Sequence, residues 1–202
     1  MSTVISFVGW SGSGKTTFLR KVIKELKGRG LAVAVVKNTC QHMEPDIQGK
    51  DTWAFARAGA DTVILNGPTV FFRQEKVSAR KDIAAVLEGI TGVDIIILEG
   101  AGDSFLPKVE VWRKACGKGH RFPSGELIAL VAEGLPEKSY RGLPQFKHGE
   151  VCRFTDFLLY KAGLEGAPPT ACLKLLKAME KRPARCAEKL VVPPTGIKLR
   201  MN

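Results

Sequence analysis

The residues best able to do chemistry lie near the start of the sequence, where positions 9–16 read Gly-Trp-Ser-Gly-Ser-Gly-Lys-Thr. A glycine, four variable residues and then Gly-Lys-Thr form the pattern of a phosphate-binding loop, or P-loop. Glycines let successive backbone N–H groups curl around phosphate oxygens, and a helix that follows adds its N-terminal dipole. The sequence therefore predicts a site for a nucleoside triphosphate with Mg²⁺.

Each residue of the loop has an expected role. We predict that Lys15 acts in catalysis by neutralising charge on the terminal phosphates and that the Thr16 hydroxyl binds Mg²⁺. The predicted nucleotide-binding set is Gly9, Ser11, Gly12, Ser13, Gly14, Lys15, Thr16, Thr17 and Lys37. A glycine-rich turn would match the pattern by accident in roughly 1% of chains of this length. The strand and helix expected on either side of the loop make an accident rarer still.

Glu99 is the predicted acidic partner of the loop. It follows the apolar stretch 93–98, which reads Val-Asp-Ile-Ile-Ile-Leu. Ligands of open α/β sheets lie at the carboxyl ends of the strands, so Glu99 falls on the metal side and Asp94 at the opposite end. We expect Glu99 to organise Mg²⁺ and the attacking water. The alternative is a solvated carboxylate at a strand end.

Lys37 and two aspartates complete the predicted site. Lys37 follows the apolar stretch 32–36, where a lysine could contact phosphate or remain solvated. Asp46 and Asp51 are candidates for the outer magnesium shell or for positioning water, and Asp51 is counted among the predicted metal residues. A carboxylate at Asp51 would equally favour the start of a helix.

Alternating strands and helices must position these residues. The predicted strands are 4–8, 31–36, 61–65, 70–73, 93–98, 108–112 and 127–132, and the predicted helices are 18–26, 50–58 and 79–89. This alternation predicts a three-layer α/β fold, a P-loop NTPase with a mostly parallel sheet flanked by helices. Residues 1–162 are expected to form the nucleotide-binding domain, and residues 163–202 a basic, proline-containing extension that is helical and extended.

The composition fits a cytoplasmic protein with an anionic ligand or partner. The 202 residues carry a net charge of +11, and residues 161–202 hold nine Lys or Arg against three Asp or Glu. That basic segment lacks interleaved aromatic residues, which favours a solvated helix face or a dock for an acidic partner over nucleic acid. No apolar stretch is long enough for a membrane span, and no signal peptide is evident. Five widely spaced cysteines do not form a disulfide framework pattern.

Short motifs beyond the loop carry a family resemblance. In chain order they are Gly49-Lys50-Asp51, Ala58-Gly59-Ala60, Leu98-Glu99-Gly100, and Pro107-Lys108-Val109-Glu110-Val111 with Arg113. Together with the loop and Lys37, they make residues 3–160 resemble the molybdopterin-guanine dinucleotide biosynthesis protein B (MobB) family. Many families share the loop, whereas the motifs at 49–51 and 107–113 are much more specific.

The resemblance implies a dimeric P-loop GTPase that assists metallocofactor maturation. It implies Mg²⁺ and GTP as ligands, weak GTP hydrolysis and a homodimer. The implied partners are the nucleotidyltransferase that attaches GMP to molybdopterin, and molybdoenzymes or their chaperones; molybdopterin is a further candidate ligand. GTP comes from the resemblance alone, because the guanine-reading motif Asn-Lys-x-Asp is absent from the sequence and ATP stays an alternative. Glu133 is a weak candidate for contacting the base.

The sequence also departs from the family. Lys37 is followed by Asn-Thr-Cys-Gln-His where the family has a histidine-rich segment, and Gly100 by Ala-Gly-Asp where the family has an aromatic residue and a lysine. Residues 114–123 and those past 163 have no counterpart that can be aligned. We therefore expect a divergent member, which could serve a different metal, pterin or partner.

Three local features stay open at this point. Cys40 with His42 and Cys116 with His120 are incomplete metal pairs, because a zinc site needs four ligands, and ordinary thiols are the favoured interpretation. Trp10 could cover the nucleotide, mark a partner surface or simply be exposed.

Two other functional classes could use the same loop. A small-molecule kinase or ATP-dependent ligase would need a substrate pocket with a base or a mobile lid, and the sequence shows no lid motif. A metal-insertion GTPase for another metallocentre would be expected to carry a Cys/His cluster. For a GTPase, slow turnover without a partner is expected, because no arginine finger can be assigned in the chain. The arginines that could act across a dimer are Arg57, Arg73 and Arg113.

Overall fold

The structure is a computed structural model, and residues 2–134 and 138–164 are described here. The chain divides into two compact units. The first contains Met1–Thr39 and the chain from Ile90 onward, and the second is Cys40–Gly89. The predicted extension 163–202 lies outside the described residues except for its first two positions, so the boundary at 162 stays a prediction.

Eight strands and four helices make up the described chain. The strands are β1 Thr3–Val8, β2 Val33–Lys37, β3 Thr62–Asn66, β4 Phe71–Glu75, β5 Ile95–Glu99, β6 Lys108–Val111, β7 Leu127–Val131 and β8 Gln145–Phe146. The helices are α1 Lys15–Gly28, α2 Asp51–Arg57, α3 Ile83–Glu88 and α4 Val151–Ala162. Short 3₁₀ turns lie at Lys114–Cys116, Ser124–Glu126 and Lys138–Tyr140.

A six-stranded sheet organises the first unit. Its strand order is β2-β5-β1-β6-β7-β8, and neighbouring strands run parallel. Parallel strands have both faces covered, so they consist of nearly continuous apolar residues. β1 is buried along its whole length, and β5 is buried except at Glu99. All six strands therefore end at one edge, where the side chains that follow them collect.

Two helices cover one face of this sheet. α1 buries a stripe of apolar residues at helical spacing, and α4 does the same. Phe154 of α4 is fully buried at the centre of this layer. Its ring lies 5.0 Å from the ring of Phe18 in α1 and 5.8 Å from that of Phe7 in β1, centroid to centroid. The packing thus fixes α1, and with it the start of the helix behind the P-loop, against the sheet.

A smaller apolar cluster lies on the opposite face. Leu130 and Ala132 alternate with Val131, which points to the helical face, so they reach the other side of the sheet. They pack with Tyr140, and the partly buried Trp112 and Phe122 lie against them. The connection from β6 to β7 therefore runs over this face and is held there by aromatic side chains.

The second unit contains α2, α3 and a β-hairpin. The strands predicted at 61–65 and 70–73 exist as β3 and β4, but they pair with each other antiparallel in a separate two-stranded sheet. The sequence analysis did not predict this separate pairing. It is antiparallel because only residues 67–70 connect the two strands, and a parallel pair needs a long crossover. α3 covers Ile83–Glu88, which is shorter than the predicted 79–89.

The predicted α/β class, with a mostly parallel sheet and flanking helices, is confirmed. β8 and α4 are additions that the sequence analysis did not include. β8 has only two residues, whereas α4 carries Phe154, Phe157 and Leu158 at helical spacing. None of the helices within residues 2–134 and 138–164 is long and apolar enough to cross a lipid bilayer.

Candidate functional site

The predicted P-loop lies between β1 and α1. Gly9, Gly12 and Gly14 have φ angles of 136°, 80° and 85°, in the region that favours glycine. A Cβ at Gly9 would overlap the carbonyl oxygen of Val111 in β6. The glycines are therefore needed both for the curve of the loop and for its close approach to the neighbouring strand.

Lys15 is the first residue of α1, and its side chain turns back over the loop. Its ammonium donates hydrogen bonds to the carbonyl oxygens of Gly9 at 2.9 Å and Trp10 at 2.8 Å. Burial lowers the pKa of Lys15, while the carboxylate of Glu99 acts in the opposite direction. The lysine thus lies against the loop, within electrostatic reach of the predicted metal-side carboxylate.

Thr16 and Glu99 are brought together as a pair. The Thr16 hydroxyl donates a hydrogen bond of 3.2 Å to the Glu99 carboxylate. The sheet register explains the pairing, because Glu99 lies opposite Phe7, near the end of β1. A hydroxyl and a carboxylate are oxygen groups of the kind that surround Mg²⁺, directly or through its bound waters, so the two residues fit a magnesium ion bound beside a nucleotide. Asp94, at the far end of the strand, instead accepts the backbone N–H of Ala32 at 2.7 Å.

The other predicted residues fall in two places. Lys37 is exposed and lies opposite Glu99 in the β2–β5 register, so it joins the same sheet edge. Ser11 and Thr17 are exposed and Ser13 is buried. Asp51 lies in the second unit, in the first turn of α2, where its carboxylate suits the helix N-terminus.

Asp46 belongs to the second unit as well, where its carboxylate accepts the backbone N–H of Ile47 at 2.7 Å. Two of the arginines considered for action across a dimer also lie there. Arg57 pairs with Glu44 at 3.6 Å, and Arg73 pairs with Glu75. The roles of Asp46 and Asp51 toward magnesium stay predictions.

Three residues beside the loop were not predicted to meet there. The guanidinium of Arg113, considered only for action across a dimer, lies 2.8 Å from where a Cβ of Gly14 would stand. Its Nε is 3.6 Å from the Glu133 carboxylate. His148 has its Nε2 3.4 Å from the carbonyl oxygen of Ser13. Burial, aided by the charge of Arg113, lowers the pKa of His148 below the ordinary value of a histidine. No spacing pattern in the sequence links these three positions.

The connection between β6 and β7 also reaches the P-loop. The Trp10 indole N–H donates to the carbonyl oxygen of Gly119 at 2.7 Å. Glu110, fully buried in β6, accepts the backbone N–H of Arg121 at 2.7 Å. Burial raises the pKa of the Glu110 carboxyl. Trp10 therefore contacts the protein's own loop. A carboxylate between two valines of a buried strand, at Glu110, was the sequence feature that could have indicated this anchor.

A pocket of about 700 Å³ opens at the ends of β6 and β7. Trp112, Lys114 and Lys118 line it from one connection, and Glu133 and Gly134 line it from the other. Its volume is in the range of pockets that hold small molecules and cofactors. The contact between Arg113 and Glu133 joins this pocket to the P-loop side of the site.

The two Cys/His pairs do not assemble into a larger cluster. Within the described part of the chain, no group of three or more His, Cys, Asp or Glu residues could hold a metal ion. The His120 ring lies 4.5 Å from Trp112 and 4.4 Å from Tyr140, centroid to centroid. Cys40 is an exposed free thiol, and Cys116 is a free thiol that is partly buried.

Comparisons with known proteins agree with this geometry. The family model of molybdopterin guanine dinucleotide synthesis protein B matches residues 4–133. The chain is similar to a molybdopterin-guanine dinucleotide biosynthesis adapter protein of Haemophilus influenzae, with 32% identity over 136 residues that cover 66% of this chain and 75% of that protein. Its similarity to the Escherichia coli adapter protein is 30% over 125 residues, covering 60% and 70% of the two chains. The crystal structure of Bacillus subtilis MobB has a TM-score of 0.63 and 25% identity, covering 82% of this chain and 99% of that one.

Proposed function

The chain belongs to the MobB family, and from that premise we propose that it binds GTP with Mg²⁺ and hydrolyses it slowly to assist molybdenum cofactor biosynthesis. Family membership supports the role in cofactor biosynthesis, and the P-loop fold supports nucleotide binding. The relatives are named adapter proteins of molybdopterin-guanine dinucleotide biosynthesis. GTP as the nucleotide is proposed from the resemblance to the family.

The observation that carries this proposal is the contact between Thr16 and Glu99. Their oxygens lie 3.2 Å apart, beside the loop whose Lys15 turns toward the same space. Two elements that are far apart in the sequence, the start of α1 and the end of β5, thus present a cation, a hydroxyl and a carboxylate at one end of the sheet. A glycine-rich loop without this carboxylate would bind an anion. The loop together with Lys15, Thr16 and Glu99 suits a triphosphate that carries magnesium.

The residues of the chain would divide the work of hydrolysis. The loop N–H groups and Lys15 would hold the phosphates, and Glu99 would orient the water. The water oxygen bonds to the terminal phosphorus while the bond to the oxygen of the departing GDP breaks, and the water's proton passes to solvent. A bound Mg²⁺ would supply charge neutralisation between the two outer phosphates.

The pocket at the ends of β6 and β7 is the proposed place of the base. Thr16 and Glu99 lie on the β5 side of the loop, and magnesium bridges the outer two phosphates of a bound triphosphate. The nucleoside then extends in the other direction, toward β6 and β7, where Trp112 and Glu133 line the pocket. A carboxylate accepts hydrogen bonds only, which suits the N–H groups on the guanine edge.

The proposed partners follow from the family. We propose a homodimer that contacts the nucleotidyltransferase attaching GMP to molybdopterin, and the molybdoenzymes or chaperones that receive the cofactor. Hydrolysis would then switch these contacts. Molybdopterin is a further proposed ligand. The names of the relatives as adapters support an interaction role of this kind.

Titration with GTP and with ATP, each with magnesium and with a chelator, tests the proposed function directly. We expect magnesium-dependent binding with GTP preferred. A clear preference for ATP would contradict the proposal and favour a small-molecule kinase or ligase. Tight stoichiometric binding of nickel or zinc that depends on Cys40 and His42 would instead favour a metal-insertion GTPase.

Glu99→Gln is expected to raise the Mg²⁺ concentration needed for half-maximal GTP binding by about 10-fold, the lower range for losing an outer-shell partner of a metal. Glutamine keeps the shape and can still accept the Thr16 hydroxyl, so only the charge is removed. Binding titrations at varied Mg²⁺ measure the shift. Glu126→Gln is the control, because Glu126 is exposed just before β7, at the opposite edge of the sheet. Equal magnesium dependence in both variants would rule out a metal role for Glu99.

Glu133→Gln is expected to reduce the preference for GTP over ATP by about 10-fold, the value of one lost charged hydrogen bond. The amide can donate as well as accept, so it no longer rejects the acceptor on the adenine edge. Competition of GTP and ATP for the same protein gives the ratio. The proposed pocket is wrong if the ratio stays at the wild-type value while Glu133→Ala also leaves it unchanged.

A further inference from the structure

The proposed nucleotide site implies a position for the terminal phosphate. Lys15 reaches the outer phosphates in a P-loop, and magnesium joins them on the side of its threonine and carboxylate. In this chain those residues are Thr16 and Glu99, between the start of α1 and the end of β5. A group that binds the terminal phosphate must therefore lie between the P-loop and the segment that follows Glu99.

Arg121 lies between these two segments. The centre of its guanidinium is 5.4 Å from the ring of Trp10, which is part of the P-loop. Its Nη2 atom is 3.7 Å from where a Cβ of Gly102 would stand, three residues after Glu99. A Cβ at Gly102 would come within 2.9 Å of the Phe122 ring, so the absence of a side chain there leaves the space that this ring occupies beside the guanidinium.

The charge of Arg121 is not neutralised by the described residues. Within residues 2–134 and 138–164, no carboxylate lies within ion-pair distance of its guanidinium, and the side chain is exposed. The positive charge of Arg121 also contributes to the lowered pKa of Lys15, after the larger effect of burial. Two cations that repel each other in this way are stabilised when an anion binds between them.

The backbone of Arg121 is fixed by buried partners. Its N–H donates to the carboxylate of Glu110, which is fully buried in β6. The next residue, Phe122, has its carbonyl oxygen bonded by the Tyr140 hydroxyl at 2.6 Å. A side chain that starts from an anchored backbone and lies beside two aromatic rings loses little freedom when it binds a ligand.

We propose that Arg121 binds the terminal phosphate of the nucleotide and so acts as an arginine finger within the same chain. This inference rests on the proposed function and adds a residue to it. The planar fork of an arginine matches phosphate oxygens with two parallel hydrogen bonds. Arg121 would favour the triphosphate over the diphosphate, and would neutralise charge as the terminal phosphoryl group is transferred to water.

The test compares triphosphate and diphosphate affinities of the full chain. Kd is measured with Mg²⁺ for GTPγS and GDP, and in parallel for ATPγS and ADP, in wild type, Arg121→Ala, Arg121→Lys and Arg153→Ala. Arg153 is the matched control, because it is an arginine whose guanidinium lies 5.4 Å from the ring of Phe146 in the same unit. Single-turnover hydrolysis with protein in excess is the second readout.

We expect Arg121→Ala to reduce the ratio of triphosphate affinity to diphosphate affinity by about 10- to 100-fold, because one charged hydrogen-bonding group is lost. The diphosphate Kd and the unfolding temperature should stay unchanged. Arg121→Lys should lie between alanine and wild type, and Arg153→Ala should match wild type. A wild-type ratio in Arg121→Ala overturns the inference alone. Equal loss of diphosphate and triphosphate binding also overturns it, because Arg121 would then maintain the shape of the site without contacting the terminal phosphate. Absence of nucleotide binding in wild type overturns the proposed function as well.

Discussion

Lys15→Ala is expected to weaken GTP binding by about 100-fold, because the variant loses charged hydrogen bonds to two phosphate groups at about 1.5 kcal/mol or more each. The ammonium already lies over the loop, bonded to the carbonyls of Gly9 and Trp10. A phosphate would replace these carbonyls as its partner. Burial lowers the pKa of Lys15 below the ordinary value of a lysine, so GTP binding should weaken as the pH rises toward that lowered pKa and the ammonium loses its proton.

Isothermal titration with GTP and Mg²⁺ measures this loss. Lys24→Ala is the matched control, because Lys24 is an exposed lysine on the same helix, more than two turns further along. Both variants remove one positive charge from α1, so a general charge effect would appear in both. Wild-type affinity in Lys15→Ala would falsify the nucleotide site. Equal losses in the two variants would show that GTP is attracted non-specifically to a basic helix.

Gly9→Ala is expected to destabilise the fold more than Gly12→Ala. Both positions have positive φ, which costs an alanine about 1–3 kcal/mol. At Gly9 the new Cβ also meets the carbonyl oxygen of Val111, whereas at Gly12 it meets open space. That carbonyl belongs to the neighbouring strand of the sheet, so it cannot move aside, and overpacking adds about 1–3 kcal/mol.

Urea unfolding of the two variants and wild type gives the difference. We expect Gly9→Ala to lose nucleotide binding as well, since the loop must shift away from β6. Equal free energies of unfolding for the two variants would show that the φ angle alone sets the cost. The tight approach between the loop and Val111 would then have no energetic consequence.

The local part of the site could be predicted from the sequence. The P-loop is a contiguous pattern, and its neighbours are strand and helix by short-range periodicity. Glu99 was predicted because its position depends only on the direction of a parallel strand. The structure brings Thr16 and Glu99 to within 3.2 Å of each other. The roles of these residues in binding nucleotide and magnesium stay predictions.

The residues that close the site could not be predicted, for physical reasons. Arg113, Arg121 and His148 follow β6 or β8, and their positions depend on the strand order and on the path of a connection without regular periodicity. β8 pairs through two residues only, too few for any hydropathy pattern. The antiparallel pairing of β3 and β4 was missed for a different reason. Its four-residue connection was visible, but alternation with helices was taken as a parallel pattern.

The subdivision of the predicted domain also depends on tertiary packing. Residues 40–89 form a unit of their own, although the sequence around its limits shows no linker composition. Alternating strands and helices have the same sequence pattern whether the strands belong to one sheet or to two. The hydropathy of a strand indicates that it is buried and does not indicate which strand it pairs with. The specific motif Gly49-Lys50-Asp51 therefore indicated the family correctly without indicating the unit to which it belongs.

Trp10 gives this phosphate site an optical property. Its indole donates to the Gly119 carbonyl and lies 4.6 Å from the ammonium of Lys118 and 5.4 Å from the guanidinium of Arg121, measured to the ring centre. Indole emission depends on hydrogen bonding and on nearby charge, so any movement of these cations changes its wavelength and intensity. A chain in which Trp53 and Trp112 are replaced by phenylalanine would carry a single tryptophan, inside the P-loop. Events at the phosphates could then be followed in real time with unlabelled nucleotides.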